Sequence, residues 1–475
     1  MRAWAAIGLT VGAVALAWST AHAEPATFQG LGDLPGGPFH SLATGVSGDG
    51  STVVGVGNAQ PYGGEAFLWK NGVMSGLGDL PGGGFESVAM AASGDGSVVV
   101  GFSHSGRGDE PFRWENGVMT PLGFLPNAYP WSRAYGVSAD GTVIVGSSND
   151  RGFRWDSGAM SDLGSLAGGR YRSDAYAVSA DGLIIVGSWG DAGGGTEEAY
   201  IFERRVMSGL GYLPGAVVPY SRGAAISADG CVVVGDSKSQ DSVFYEAFRW
   251  EGGMMTALGG FPRVYSLVSN ARDVSGDGTT VVGGSRDGSE EDAYRAFIWT
   301  GATGMLKLSD VLSVLGVDVN GWWLTDATGV SDDGLTIVGY GYSANGNEGW
   351  IATLPADWID QVTYELTVSI AQSGWSDWGT VDVEPNLARY FVGKAVTLTG
   401  EADGAKAFKW WKLYDPNHPN DPNYITTDAN NPLTLVMTAD RQVVAVFRCA
   451  GGGLPLPALT LGMLGLFALI RRRAW

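Results

Sequence analysis

The chain has 475 residues, of which 75 are glycine and 16% are charged, and its formal net charge is −20. Its length is enough for about two to three domains with buried cores. Because the glycines show no period of three and proline is not enriched, a collagen-like fold is excluded. Because binding to phosphate groups needs a basic face, the acidic balance argues against a nucleic-acid partner.

The N-terminal 23 residues have the three parts of a secretory signal peptide. Arg2 supplies a positive charge, the stretch from Ala5 to Trp18 is apolar, and Ala21-His22-Ala23 is a small-residue cleavage pattern. A membrane span is the alternative, but the run is short and ends in the cleavage pattern. The sequence therefore predicts export, with a mature protein that begins near Glu24.

One motif recurs along the chain at intervals of 41 to 56 residues. Its first copy, from Ala43 to Gly55, contains a short apolar strand ending in Val-Ser, an Asp-Gly pair, and a β-branched run that closes on glycine. Asp-Gly tolerates the positive φ angles of a tight hairpin. A period of this length indicates one supersecondary unit used several times. The Asp-Gly pairs are Asp49-Gly50, Asp95-Gly96, Asp140-Gly141, Asp181-Gly182, Asp229-Gly230, Asp277-Gly278 and Asp333-Gly334.

Each unit continues with an aromatic strand, such as Ala66 to Trp69, a second tight turn, and a Val-Met-x-x-Leu-Gly strand, such as Val73 to Gly78. Four short strands in about 46 residues are typical of a propeller blade. The seventh unit ends at Leu354 without its fourth strand, and a strand of that type, Thr27 to Gly32, precedes the first unit. We therefore predict an all-β fold in which residues 26–355 form a seven-bladed β-propeller closed by the N-terminal strand.

These repeats resemble the extracellular HAF-type repeat family, which is named for a His-Ala-Phe run that stands here as Glu65-Ala66-Phe67. The pattern Leu-Gly-x-Leu-Pro-Gly, at Leu31 to Gly36 and at Leu77 to Gly82, is part of the resemblance. The resemblance covers residues 26–355, and Phe202 departs from it by replacing the repeat tryptophan. It implies an exported, propeller-like protein and brings no agreed activity.

Residues 360–448 lack the Asp-Gly period and alternate like half-buried strands, for example from Tyr364 to Ser369 and from Pro432 to Met437. In their order these segments resemble the divergent internalin B-repeat domain, with an insertion from Asp415 to Tyr424. The resemblance implies a small β-rich module that serves as a spacer or adhesion unit at the cell surface.

Residues 449–475 contain an apolar run of 17 residues, from Leu454 to Ile470, followed by three arginines. The run is at the short end for a spanning helix, and the arginines favour a cytoplasmic terminus. Pro455 to Ala458 resembles the PEP-CTERM type of bacterial sorting signal, and Cys449 with its glycines resembles the related myxobacterial type. Either resemblance implies envelope sorting, with or without removal of the tail, and a permanent anchor is the alternative. We expect an apolar C-terminal helix that contacts the bacterial membrane.

Two kinds of residue are candidate ligand contacts on the face that the variable loops form, because function usually lies on variable loops held by a rigid scaffold. The side chain seven positions before each repeat aspartate varies from unit to unit, and some aromatic residues fall outside the repeat pattern. The candidates are Tyr129, Arg133, Asp174, Trp189, Arg222, Asn270, Trp322, Trp323 and Asp326. By contrast, the aromatic residue nine to twelve positions before most repeat aspartates, such as Tyr220, is predicted to pack between blades.

Signatures of enzymes, cofactor sites and metal sites are mostly absent from the sequence. The mature chain has three scattered histidines and no Gly-x-Ser-x-Gly, P-loop or Cys-x-x-Cys motif. We therefore assign no catalytic residue, no cofactor and no metal, and we assign the repeat aspartates to turns rather than to calcium, because clustered oxygen ligands are lacking. Cys231 stands where other units have Ser, Thr or Leu, so we predict a packed side chain and no disulfide.

The sequence thus predicts a protein that is secreted and retained at the bacterial cell envelope or surface. Its propeller is expected to bind a glycan or a surface protein in an adhesive role. A glycosidase or lyase that acts on envelope polysaccharide is one alternative, and a structural component of the surface or biofilm matrix is another.

Overall fold

The structure, a computed structural model, describes most of the chain between residues 24 and 449. Within these limits the undescribed residues are 60–62, 127, 167–170, 192–195, 240–243, 262–267, 289–292, 371–378, 385–388, 393, 403–405, 415–424 and 438–439. The predicted signal peptide and the predicted apolar C-terminal helix lie outside the described residues. The chain divides into two compact units between Thr363 and Tyr364.

The first unit is built from short antiparallel strands, beginning with β1 (Thr27–Gly30). Sheet 1 contains β2 (Gly36–Val46), β3 (Thr52–Ala59), β4 (Gly64–Lys70) and β5 (Val73–Gly76). Sheet 2 contains β6 (Gly82–Ala92), β7 (Val98–Ser105), β8 (Gly108–Glu115) and β9 (Val118–Pro121). Sheet 3 contains β10 (Ser132–Val137), β11 (Val143–Ser148), β12 (Gly152–Asp156) and β13 (Ala159–Asp162).

Four more sheets follow along the chain. Sheet 4 contains β14 (Tyr171–Val178), β15 (Ile185–Asp191), β16 (Glu197–Glu203) and β17 (Val206–Gly211). Sheet 5 contains β18 (Ser221–Ile226), β19 (Val232–Lys238), β20 (Tyr245–Glu251) and β21 (Met254–Gly259). Sheet 6 contains β22 (Ser269–Val274), β23 (Thr280–Arg286), β24 (Tyr294–Thr300) and β25 (Gly304–Lys307). After helix α1 (Leu308–Val314), sheet 7 contains β26 (Trp323–Val330), β27 (Thr336–Ser343) and β28 (Gly346–Thr353), and helix α2 (Trp358–Val362) ends the unit.

The N-terminal strand completes the last sheet of the first unit. Sheet 7 has the strand order β1-β28-β27-β26, and in its register Thr27 faces Thr353 and Gly30 faces Trp350. The N–H of Leu31 continues this pairing by donating to the carbonyl oxygen of Gly349 at 2.9 Å. The prediction that the first strand completes the final sheet is therefore confirmed, and the all-β prediction is confirmed with it.

The apolar core lies between neighbouring sheets. The β-branched run Val98–Val100 in β7 is buried on both faces, because sheet 2 has a sheet packed on either side of it. One cluster joins Val54 and Ala66 of sheet 1 to Val99 and Phe112 of sheet 2. A corresponding cluster joins Val53 of sheet 1 to Ile351 of sheet 7. The row of sheets thus closes on itself, and no sheet of the row has an unpacked face.

A belt of backbone hydrogen bonds connects the Asp-Gly ends of the sheets. Each link runs from an N–H beside one Asp-Gly turn to the carbonyl oxygen of the residue before the Asp-Gly pair in a neighbouring sheet, with N···O distances of 2.8 to 3.1 Å. The links, among the described residues, are Asp49–Gly94, Gly94–Ala139, Ala139–Ala180, Ala180–Ala228, Ala228–Gly276, Gly276–Asp332 and Asp332–Gly48. Because the last link returns to the first sheet, the belt is circular.

The Asp-Gly turns are stabilised by the side chains that flank them. In sheet 2 the hydroxyl of Ser93 donates to Asp95 Oδ1 at 2.9 Å, and the N–H of Val98 donates to Ser93 Oγ at 3.0 Å. Gly96 follows the aspartate with φ of +69°, the left-handed conformation that the pattern predicts. Hydrogen bonds from Ser97 and Ser93 lower the pKa of Asp95 to about 2. The same Ser-to-Asp hydrogen bond is present in the other repeats, at Ser47, Ser138, Ser179, Ser227, Ser275 and Ser331.

The innermost strand of each sheet carries a β-bulge that depends on a glycine. In sheet 1 the register shifts between Ala43 and Gly45, which leaves Thr44 without a partner residue on β3. Opposite the bulge, a Cβ atom at Gly55 would overlap the carbonyl oxygen of Leu42. The glycine that closes each β-branched run therefore allows this close approach. Its counterparts, each against the carbonyl oxygen seven residues before a repeat aspartate, are Gly101, Gly146, Gly187, Gly235, Gly283 and Gly339.

The second unit is a small pair of sheets. One sheet has the order β30 (Leu366–Ile370), β37 (Arg441–Cys449), β34 (Lys406–Tyr414) and β35 (Ile425–Asp428), and the other has the order β31 (Gly379–Glu384), β33 (Ala395–Ala402) and β36 (Leu433–Val436). Trp411 and Val443 of the first sheet and Val396 and Leu398 of the second sheet form their common core. The short strands β29 (Thr363–Tyr364), which lies at the boundary between the two units, and β32 (Tyr390–Phe391) form a separate two-stranded sheet.

Two local features differ from the sequence expectations. The longest variable loop contains α1, whose Leu308, Val311 and Leu312 are buried, because an apolar residue recurs there at helical spacing. Cys231 is exposed, so the prediction of a packed side chain was wrong. It occupies the outer position of its turn, where its N–H donates to Asp229 Oδ1 at 2.9 Å and its side chain points away from the core.

Candidate functional site

The inner strands of the seven sheets line a central cavity of about 530 Å³, here named the channel cavity. The residue left unpaired by each bulge lies on this lining, because the bulge re-aims its side chain. These residues differ from sheet to sheet although the backbone repeats. They are Thr44, Met90, Tyr135, Tyr176, Ala224, Arg272 and Thr328.

Charged residues of the channel cavity are concentrated on sheets 5 to 7. Arg272 Nε donates to Asp326 Oδ2 at 3.0 Å, which joins sheet 6 to sheet 7. Burial raises the pKa of Asp326, and the Arg272 guanidinium opposes that rise. The neighbouring Asp326 carboxylate raises the pKa of Arg272, so this side chain stays charged. Arg222 of sheet 5 lines the same wall.

A second cavity of about 440 Å³ lies at sheets 4 and 5 on the face of the variable loops, and it is here named the tyrosine cavity. The inner strands β14 and β18, the loop-side ends of β15, β16, β19 and β20, and the segments before β16 and before β18 supply its wall. Tyr176 and Arg222 line both cavities. The lining side chains that matter below are Arg172, Asp174, Glu197, Tyr220, Lys238 and Tyr245.

Tyr220 and Tyr245 form an aromatic pair in the tyrosine cavity, and Lys238 lies beside them. The ring centroids of Tyr220 and Tyr245 are 4.7 Å apart, with an interplanar angle of 56°. Lys238 Nζ lies 5.8 Å from the Tyr220 centroid and 5.6 Å from the Tyr245 centroid, within the range of a cation–π interaction. The N–H of Lys238 donates to the carbonyl oxygen of Tyr220 at 3.0 Å, which fixes the start of the lysine side chain.

Both arginines of the tyrosine cavity are held by carboxylates. Arg172 Nε donates to Asp174 Oδ2 at 3.1 Å, and Arg222 Nη2 donates to Asp236 Oδ1 at 2.8 Å. Burial alone would lower the pKa of the Arg222 guanidinium, but the charge of Asp236 raises it above its ordinary value. These pairs hold the polar wall of the cavity in place.

The tyrosine hydroxyls of this region stay protonated at neutral pH. Burial, followed by the charge of Asp174, raises the pKa of Tyr176. Burial, followed by the charge of Asp236, raises the pKa of Tyr220. Each phenol therefore remains able to donate one hydrogen bond and to accept another.

Three of the nine predicted contacts line a cavity. Asp174 lines the tyrosine cavity, Asp326 lines the channel cavity, and Arg222 lines both. All three stand seven residues before a repeat aspartate. Their inward position follows from the repeat, since each lies two residues before the bulged residue on an inner strand.

Two further candidates at this position contact protein groups. Arg133 Nη2 donates to Asp109 Oδ2 at 2.6 Å and stacks over the ring of Phe102, 4.1 Å from its centroid. Asn270 is buried, and its Oδ1 accepts a hydrogen bond from the hydroxyl of Tyr294 at 3.3 Å. The structure does not bring these two side chains into the described lining of either cavity.

The four aromatic candidates lie apart from both cavities in the part of the chain that the structure describes. Tyr129 is 76% exposed on the loop before β10. Trp189 lies between two lining residues of β15, so strand alternation turns it to the other face of sheet 4. Trp322 packs edge-on against Phe28 of the closing strand, with centroids 5.1 Å apart. Trp323 donates from its Nε1 to the carbonyl oxygen of Tyr294. As ligand contacts, these four residues stay predictions.

Sequence reasoning missed the residues that define the tyrosine cavity. Tyr220 was expected to pack between blades; its backbone bridges Glu197 of sheet 4, and its ring meets Tyr245 of sheet 5 and lines the cavity. The equivalent Phe39 and Phe85 are 37% and 36% exposed. A usable signal was present in sheet 5, where Tyr245 precedes the aromatic strand and Lys238 ends the β-branched run.

Possible metal sites and membrane-spanning helices were sought among the described residues. No group of three or more His, Cys, Asp or Glu side chains there has a geometry that holds a metal ion. Neither α1 nor α2 has the length and apolar character needed to cross a membrane. The polar side chains that line the two cavities are those of tyrosine, serine, threonine, arginine, lysine, aspartate and glutamate.

No protein-family model matches the chain, and a comparison with curated proteins gives no match. Solved structures similar to it include the oligogalacturonate lyase of Vibrio parahaemolyticus, at 10% identity and a TM-score of 0.46, over 71% of this chain and 99% of that chain. The β-propeller domain of the Trilobed protease from Pyrococcus furiosus has 10% identity and a TM-score of 0.44, over 66% and 95%. TolB from Acinetobacter baumannii has 13% identity and a TM-score of 0.35, over 54% of this chain and 62% of TolB. At these identities the similarity concerns the propeller fold alone.

Proposed function

We propose that the seven sheets are the blades of a closed β-propeller, and that this propeller binds a glycan in the tyrosine cavity. The observation that carries the proposal is the pair Tyr220 and Tyr245, which lies beside Lys238 in a cavity of about 440 Å³. A sugar ring has apolar C–H faces and a rim of hydroxyls. It is therefore matched by aromatic rings together with a few placed polar groups.

The proposal also covers where the protein works. The chain is exported by residues 1–23 and retained at the bacterial envelope by residues 449–475, and the second unit is a surface module of the internalin B-repeat type. Support for this part comes from the sequence patterns of those segments. Fractionation of expressing bacteria tests it: the full chain is expected with the envelope, and a chain ended at residue 448 is expected in the soluble exported fraction. Envelope retention of the shortened chain would contradict anchoring by the tail.

A glycan array followed by titration calorimetry tests the binding site. The purified full chain is expected to bind at least one glycan class, and Tyr220→Ala is expected to weaken that binding about tenfold or more, the equivalent of about 1.4 kcal/mol. Tyr342→Ala is the matched control, because Tyr342 is 56% exposed, lies outside the cavity and is not a predicted contact. Equal affinities for the two variants would refute the site.

The same samples separate the remaining possibilities. Release of new reducing ends, lost in Asp174→Asn, would favour an enzyme that acts on envelope polysaccharide. Binding to an envelope protein and to no glycan would favour a protein ligand. An absence of both kinds of binding would favour a structural role at the surface.

A further inference from the structure

Among the described residues, the tyrosine cavity contains one cation without a carboxylate partner, Lys238. Arg172 is paired with Asp174, and Arg222 is paired with Asp236. For Lys238, no carboxylate of the described chain lies within ion-pair distance of Nζ, and its contacts there are the two tyrosine rings. The lysine is half-buried at the end of β19, so its charge is only partly solvated.

The cavity also contains a carboxylate that meets no cation of the described chain. Glu197 Oε1 accepts a hydrogen bond from the hydroxyl of Ser188 at 2.6 Å, and the Glu197 backbone forms a bridge with Tyr220. This carboxylate has remaining acceptor capacity on the cavity side, since an ionised carboxylate offers about four lone-pair positions. Hydroxyl groups of a ligand can supply those hydrogen bonds.

We infer that the ligand of the tyrosine cavity is a carboxylated sugar, such as a uronic acid within a glycan chain. Its carboxylate pairs with Lys238, its ring lies against the faces of Tyr220 and Tyr245, and its hydroxyls donate to Glu197. This inference rests on the proposed glycan site and adds the charge of the ligand to it. The physical reason is that a partly desolvated ammonium group gains more from an anionic partner than an exposed one does.

The charge of Lys238 allows an anionic ligand to bind although the protein as a whole is negatively charged. The chain carries a net charge of −20, which repels polyanions at long range. At about 0.15 M ionic strength, charges separated by more than about 8 Å are largely screened, so a local cation decides the contact. Binding of the acidic sugar should therefore depend on the local pair and should be weaker in very dilute buffer, where the repulsion by the rest of the chain extends further.

Matched pairs of oligosaccharides test the inference on the full chain. Each pair consists of a uronic-acid oligomer, of glucuronate, mannuronate or galacturonate, and its carboxyl-reduced neutral form, which keeps the same linkages and stereochemistry. Calorimetry at about 0.15 M salt is expected to give at least tenfold tighter binding for the acid form of the preferred pair. Lys238→Met keeps the aliphatic stem over the tyrosine rings and removes the charge. It is expected to reduce the acid-to-neutral preference to below about twofold while neutral binding is retained.

Two variants make the outcome unambiguous. Lys70→Met removes one exposed lysine at the end of β4, outside the cavity, and is expected to leave the preference unchanged. Tyr220→Ala is expected to weaken both members of the pair, because it removes the ring that both share. Circular dichroism confirms that each variant is folded.

The results distinguish failure of this inference from failure of the proposed glycan site. If the neutral form binds as tightly as the acid form, or if Lys238→Met keeps the full preference, the inference is overturned while the glycan site stands. If no sugar binds and Tyr220→Ala changes nothing, the proposed site falls together with it.

Discussion

The closing strand gives the sharpest test of how the first unit is held together. Leu31, at the end of β1, is 6% exposed and packs in the cluster that joins sheet 7 to sheet 1. Leu31→Ala removes three buried side-chain carbons from the segment between β1 and β2, which connects sheet 7 directly to sheet 1. Buried leucine-to-alanine changes cost about 2–5 kcal/mol, through lost transfer free energy and the residual cavity. We expect a loss of about 3 kcal/mol here.

Urea denaturation followed by tryptophan fluorescence measures this loss. With an m-value of about 3 kcal/mol/M, the midpoint of the first unit should fall by about 1 M. Val73→Ala is the control, because Val73 begins β5 and is 62% exposed, so its loss should be within about 0.5 kcal/mol. Hydrogen exchange should also become faster in β28, the partner strand of β1. Equal midpoints for the two variants, with unchanged exchange in β28, would refute the closure of sheet 7 by β1.

Three further changes test the repeat and the buried carboxyl of sheet 6. Gly55→Ala should lower the free energy of unfolding by several kcal/mol, because the new Cβ overlaps a carbonyl oxygen of the inner strand. Gly72→Ala should lower it by only about 1 kcal/mol, because Gly72 has φ of +82° but open space around it. Thermal unfolding compares the two variants. Ser93→Ala should destabilise the protein by about 1–3 kcal/mol, since it leaves a buried N–H of β7 without its acceptor. It should also raise the pKa of Asp95 from about 2, and NMR titration measures that change. Burial raises the pKa of Asp273 to about 7, so its stabilising contribution is complete below the unfolded value near 3.8, decreases as the pH rises above that value and is lost once the pH passes 7. Asp273→Asn should flatten the fall in stability between pH 4 and 7, by at most about 4 kcal/mol, and an unchanged slope would contradict this assignment.

The fold follows from the sequence because its signals are local and repeated. Each Asp-Gly turn brings its own serine, as Ser93 does for Asp95, and each β-branched run ends in the glycine that the bulge needs. The missing fourth strand of the last unit and the extra strand at Thr27 are complementary, so the closure can be inferred without any long-range information. Helix α1 was not predicted, because its single apolar turn lies inside a loop where no repeat sets the expectation.

The site could be predicted only in part, because it depends on neighbours that come from different units. The varying position seven residues before each repeat aspartate includes Asp174, Arg222 and Asp326, which line a cavity, and also Arg133 and Asn270, which do not. The repeat position alone therefore does not decide which side chains reach a cavity. The aromatic candidates were chosen because they fall outside the repeat pattern. That criterion does not predict which way a side chain points. The meeting of Tyr220 with Tyr245 depends on the shape of the variable loops, and no repeat encodes that shape.

The belt at the Asp-Gly ends has a consequence for how this protein can change. Its links use only main-chain atoms, and the residue at each link, except Asp332, is Gly or Ala or the Asp49 of a turn. Most of these joints accept only small side chains, since a Cβ atom at Gly48 would overlap the carboxylate of Asp332 and one at Gly276 would crowd its Cβ. Substitutions and insertions in the loops at the opposite end leave these joints intact. New binding specificities can therefore evolve in those loops while the ring of seven sheets is unchanged.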